Sequence, residues 1–140
     1  EEFDRVIVPH GANREAEHLD ALAETVHYSL DVVAPEGFVQ ALSISRHAIL
    51  AGGTSLWEAV ALNKTVFAIV VSDNQLRPVQ SAYERGNLVG WSDLRHSGKA
   101  DVLKAELASS FGAVTKQAVG SSPIPLDGAE RLARAILSSL

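Results

Sequence analysis

The run Thr65-Val66-Phe67-Ala68-Ile69-Val70-Val71 constrains this chain more than any other segment. From Val66 to Val71 it is six apolar residues long, with no alternation of polar and apolar positions. Successive side chains of a strand point to opposite faces, so a strand with one wet face alternates. A strand without alternation has both faces covered, the situation inside a parallel sheet flanked by helices. The same run is far below the roughly 20 apolar residues that a membrane-spanning helix needs, so a transmembrane chain is not expected.

The rest of the chain repeats the alternation that such a sheet requires. Phe3 to Pro9 (FDRVIVP) reads as a strand broken by Pro9-His10-Gly11. Asn13 or Arg14 to Glu24 reads as a helix, with Ala16, Leu19, Leu22 and Ala23 at helical spacing. Thr25 to Val33 is a second strand, and Pro35 opens a helix carrying Phe38, Val39, Leu42 and Ile44. His47 to Leu50 is a third strand, and Ser55 to Leu62 a helix. After the strand Thr65 to Val71, Ser72 to Gln75 reads as a turn, followed by a helix to Arg85 that Gly86 caps. A short strand around Leu88 to Trp91, a helix near Ala100 to Ser109 and a last helix from about Gly128 to Leu140 complete the pattern. Strand and helix in strict alternation predict an α/β domain built on a doubly wound parallel sheet of about five strands. A single domain over residues 1–140 is expected, since neither an internal repeat nor a linker is visible.

Composition narrows the function classes. The formal net charge is −5 and the twelve basic residues are scattered, so no electrostatic footprint for nucleic acid is present. There is no cysteine, hence no disulfide, no thiolate-bound zinc and no thiol nucleophile. The absence of cysteine fits a cytoplasmic location. The chain opens Glu1-Glu2, without a start Met or a visible signal peptide, which suggests a domain of something longer or a processed chain.

In doubly wound sheets ligands bind beyond the carboxyl ends of the strands, where loops lead into helix N-termini. That rule nominates His10 to Asn13, Gly52 to Ser55 and Ser72 to Gln75. In the second loop, Gly52 and Gly53 carry no Cβ and let a ligand approach the backbone, while Thr54 and Ser55 add hydroxyl donors. The following helix start offers free N–H groups and the positive end of its dipole to an anion. Ser55 with Glu58 three residues later also reads as a capping box, which needs only to start a helix; the two glycines ahead of it are not required by a cap. In the third loop, the amides of Asn74 and Gln75 can exchange hydrogen bonds with sugar hydroxyls. Ser72, Asp73 and Asn74 are equally good turn and N-cap formers, which leaves Gln75 the residue least explained by turn chemistry.

Five histidines occur, at 10, 18, 27, 47 and 96, and none pair at the His-x-x-x-His spacing of a metal site, so no metal is expected. His10 alone falls at a strand's carboxyl end and is the catalytic candidate, although no carboxylate partner is visible and a solvated loop histidine is the plainer reading. A Gly-x-Ser-x-Gly elbow and a Walker loop are missing, and Gly52-Gly53 has no third glycine for a dinucleotide fingerprint, so no cofactor is expected.

The segment AGGTSLWEAVALNKTVFAIVVSDNQ, with a helix ending YERG, resembles the carboxyl-terminal domain of GT-B nucleotide-sugar enzymes. Their pattern is Gly-Gly-x-Ser-x-x-Glu-Ala, a buried strand, Asn-Gln, and a helix ending in Gly. The tail IPLDGAERLARAI narrows the resemblance to the UDP-sugar hydrolase of pseudaminic acid biosynthesis and its spore-coat polysaccharide relatives. The likeness covers the whole chain, with its specific part in residues 51 to 86 and 124 to 137. It implies the Rossmann-like, UDP-binding half of a GT-B hydrolase or glycosyltransferase in nonulosonic acid or surface polysaccharide biosynthesis. On that basis Gly53, Thr54 and Ser55 bind the diphosphate, Glu58 holds the ribose, and Asn74 and Gln75 face the sugar, so the nucleotide is expected along Gly52 to Glu58. The family's general base is a histidine of an amino-terminal domain, which becomes the expected partner, in cis or in trans, beside the UDP-sugar itself. Two departures stand out. Pro9-His10-Gly11 replaces paired glycines, and Asn63-Lys64-Thr65 replaces the usual Gly-x-Pro. The alternative is a non-catalytic binding or regulatory module fused to a sugar-nucleotide enzyme, or the donor-binding subunit of a split glycosyltransferase.

Overall fold

The computed structural model describes residues 5–9, 29–95, 100–114 and 127–138. The chain divides into two compact units, Glu1–Arg46 and His47–Leu140. From residue 29 to residue 114 strands and helices alternate as the apolar pattern predicts, and every pair among the described strands is parallel. The architecture is α/β and Rossmann-like.

In the first unit, β1 (Arg5–Pro9) pairs with β2 (Ser29–Val33), Arg5 opposite Ser29 and Pro9 opposite Val33. Arg5 Nε donates to the Asp31 carboxylate and ties the two strands together. A 3-10 turn, Pro35–Gly37, runs straight into α1 (Phe38–Ile44), with the proline in the first turn as its fixed φ favours. Helix α1 buries Ala41 and Leu42. The expected helix from residue 13 or 14 to 24, and His10 with it, lie outside the described residues.

In the second unit, β3 (His47–Ala51), β4 (Thr65–Val70) and β5 (Gly90–Asp93) form a sheet in the order β3-β4-β5. Helices α2 (Thr54–Ala61) and α3 (Asp73–Glu84) connect these strands. Helices α4 (Ala100–Val114) and α5 (Gly128–Leu137) follow. A right-handed crossover between parallel neighbours places α2 and α3 on one face. That face carries Val66, Ala68 and Val70, fully buried together with Leu56, Ala59, Val79 and Ala82. The opposite face carries His47, Phe67 and Gly90, and α4 covers it: Phe111 meets the His47 ring edge-on at 5.4 Å and the Phe67 ring at 6.3 Å. With a helix layer on each side, β4 is buried on both faces, which is what its unbroken apolar run requires.

The described strands thus hydrogen-bond as sheets of two and three, where alternation alone suggested one sheet of about five. Alternation counts strands and their direction; it does not say which edges pair.

Two helix ends repeat one device. After α3, Gly86 takes φ 75°, its N–H donates to the Tyr83 carbonyl at 2.9 Å, and Asn87 N–H donates to Ala82 at 3.0 Å. After α2, Asn63 takes φ 54°, donating to Val60, while Lys64 N–H reaches Ala59, both at 3.0 Å. Both are Schellman closures with a left-handed residue past the helix. Asparagine is among the few residues besides glycine that enter that region readily, so Asn63 fills the place of a glycine. Among the described residues no helix is long and apolar enough to cross a membrane.

Candidate functional site

Two of the three loops nominated by the sequence meet at the carboxyl end of the second unit's sheet. Gly52 ends the β3 ladder, its N–H donating to Ile69 of β4 at 2.9 Å. An ideal Cβ on Gly52 would stand 2.6 Å from Val79 Cγ2 and 3.1 Å from Gln75 Cβ. The missing side chain therefore lets α3 pack against the β3 end, and the close approach that sequence reading reserved for a ligand is occupied by protein. Gly53 is different. A Cβ there would meet nothing within 4 Å, and its φ of −94° and ψ of −157° are extended backbone. Packing does not call for glycine at this position, and the space above it is open.

Helix α2 begins at Thr54, with Gly53 in the N-cap position and no side-chain cap bond. Ser55 thus lies inside the first turn, two positions past the N-cap where a capping box needs it, and Ser55 and Glu58 do not form that box. Gly53 N–H is used, donating to Ala51 at 2.7 Å, and Leu56 N–H reaches back to Gly53 at 3.2 Å. Between them, Thr54 and Ser55 N–H belong to the first-turn donors that have no partner within a helix. Thr54 and Glu58 are exposed and Ser55 is half-buried. Thr54 and Glu58 are four residues apart, so they share one side of the helix.

Helix α3 also starts earlier than the sequence suggests. Asp73, Asn74 and Gln75 form its first turn, with Ser72 in the N-cap position. Ser72 Oγ donates to Asn74 Oδ1 at 2.6 Å, and Val71 N–H donates to Gln75 Oε1 at 3.1 Å. Both amide oxygens are committed locally, which leaves each amide nitrogen as a donor. Gln75 thereby closes the end of the strand and lies against Gly52, bringing the two motifs together.

Sequence reading missed Arg95. Its NH1 donates to Asp73 at 2.6 Å, its NH2 to Asp93 Oδ2 at 2.7 Å and its Nε to Asp93 Oδ1 at 2.9 Å. The bonds to Asp93 and then Asp73 hold the guanidinium charged well above its ordinary range. Arg95 fastens the loop after β5 to the first turn of α3, bridging residues 22 positions apart. A sequence shows Asp93 and Arg95 as near neighbours, but gives no sign that Asp73 joins them.

The arrangement offers an anion backbone N–H groups, hydroxyls and two amides from two helix starts, with a carboxylate one turn deeper on α2. Among the described residues no three His, Cys, Asp or Glu side chains come together to hold a metal ion. His47, the histidine described in this unit, packs against Phe111 at the amino end of β3, the far end of the strand from Gly53. No protein-family model, curated protein or solved structure matches the chain.

Proposed function

We propose that this chain binds a nucleoside diphosphate, in the form of UDP or a UDP-sugar, at the junction of α2 and α3. The reading rests above all on Gly53, whose open Cα lies beside the unpartnered first-turn donors of a helix that follows a parallel strand. Phosphate oxygens accept from such donors and are stabilised by the positive end of the helix dipole. Glu58 accepts from the ribose hydroxyls, and the amide nitrogens of Asn74 and Gln75 donate to oxygens of the sugar. Together with the resemblance in residues 51 to 86, this makes the chain the donor-binding half of a GT-B hydrolase or glycosyltransferase. The catalytic base then comes from a separate domain, and a cytoplasmic location belongs to the same reading.

Calorimetric titration of the 140-residue chain with UDP, GDP and CMP tests the proposal. Saturable binding of UDP is expected, with the backbone amide signals of Thr54 and Ser55 moving most in an NMR titration. Glu58→Gln removes a charge-assisted hydrogen bond worth about 1.5–3 kcal/mol, so affinity falls roughly ten- to hundredfold while the melting temperature holds. A chain that binds none of the three nucleotides, or a Glu58→Gln variant with unchanged affinity, would defeat the assignment.

A further inference from the structure

A second concave feature lies away from the α2–α3 junction. Tyr83 near the end of α3, Gly90 and Trp91 at the start of β5, and Glu106, Ser109 and Ser110 of α4 line a pocket of about 360 Å³. Helices α3 and α4 cover opposite faces of the sheet, and β5 is one of its two edge strands, so a pocket lined by both helices and β5 lies over that edge. Gly90 brings the helix close: an ideal Cβ there would stand 2.2 Å from Ser110 Oγ and 2.9 Å from the Phe67 ring. Sequence reading assigned none of these residues a role.

Glu106 gives the pocket its chemistry. Its Oε2 is withdrawn from solvent and has no hydrogen-bond partner among the described residues. A buried carboxylate oxygen with no donor is costly, and a cation held in the adjoining pocket compensates its charge. Among the described residues the other side chains lining the pocket are two aromatics, two hydroxyls and Ala105, none of them positively charged. Aromatic faces attract cations through the ring quadrupole, and the attraction grows as water is excluded. The volume falls within the range of small-molecule sites.

We propose that the pocket formed by Tyr83, Trp91, Glu106, Ser109 and Ser110 binds a small organic cation, a quaternary or protonated amine or a guanidinium. Glu106 neutralises the charge, Tyr83 and Trp91 supply aromatic surface, and the serine hydroxyls accept from any N–H the ligand carries.

The test uses the full chain with Trp57→Phe, which leaves Trp91 as its one tryptophan. Choline and methylguanidinium are titrated against Trp91 fluorescence and its indole N–H signal, with 3,3-dimethylbutan-1-ol as the uncharged analogue of choline. Saturable responses to the cations and none to the alcohol are expected, together with at least about a tenfold loss of affinity in Glu106→Gln. Equal responses to choline and the alcohol in the unaltered pocket would overturn the proposal, whatever the variant does. So would a folded Glu106→Gln chain that binds choline as before. Binding only of a peptide carrying N-acetylated arginine, with no response to either small cation, would overturn the small-molecule assignment.

Discussion

Gly52 and Gly53 stand side by side in the sequence, and the structure gives them opposite duties that two substitutions separate. In Gly52→Ala the new methyl carbon would lie 2.6 Å from Val79 Cγ2 and 3.1 Å from Gln75 Cβ. Carbon atoms rest at about 3.5–4.0 Å, so the first contact is short by about 1 Å. Val79 is fully buried and, being β-branched, has little rotamer freedom with which to yield. Gln75 Cβ is fixed by its own helix backbone. The start of α3 must therefore move away from the β3 end, and overpacking of this kind costs about 1–3 kcal/mol. With an unfolding entropy of about 2.1 cal/mol/K per residue, that is a fall in melting temperature of roughly 3–10 °C for a chain of this length. In Gly53→Ala the methyl group meets nothing, and the extended backbone accepts alanine. Stability should hold or rise by up to about 1 kcal/mol, because the unfolded chain loses freedom. UDP affinity should nevertheless fall by at least about tenfold, since the methyl group enters the space assigned to the diphosphate. Thermal melts followed by the fluorescence of Trp57 and Trp91, both in the His47–Leu140 unit, read stability, and calorimetry reads UDP affinity. A Gly52→Ala chain that melts like the parent would refute the packing argument. A Gly53→Ala chain that binds UDP as tightly as the parent would refute the ligand argument.

Three further outcomes are expected. Phe67→Ala leaves a cavity among fully buried neighbours and should cost about 3–5 kcal/mol by denaturant titration, with the amides of β4 the best protected from hydrogen exchange in the parent. Asn63→Gly should keep or slightly raise the melting temperature, whereas Asn63→Val should lose about 1–2 kcal/mol, because Asn63 occupies the left-handed region. The chain alone should bind UDP without releasing it from UDP-sugars above background, since breaking the anomeric bond needs a base within hydrogen-bond reach and no histidine among the described residues lies beside Gly53. UDP release that disappears in His10→Ala would reverse that last expectation and make His10 the base.

The sequence by itself determined the α/β class, the parallel direction of the strands and the central place of β4. These follow from whether apolar residues alternate or run unbroken, a local property that burial on one or two faces imposes directly. It also located the left-handed residue after α3, because a glycine past a helix has a steric reason of its own. Helix starts were legible only to within a few residues. Thr54 and Asp73 open their helices earlier than Ser55 and the turn over 72–75 suggested, because Gly53 and Ser72 cap by backbone conformation and not by the side-chain bonds that a sequence pattern advertises. Only the tertiary structure decided that the five described strands hydrogen-bond as two sheets, that Gly52 serves α3 while Gly53 faces open space, and that Arg95 joins Asp73 to Asp93. Each of these depends on distances between segments far apart along the chain. Periodicity reports which faces of a segment are covered and carries no record of which distant residues cover them.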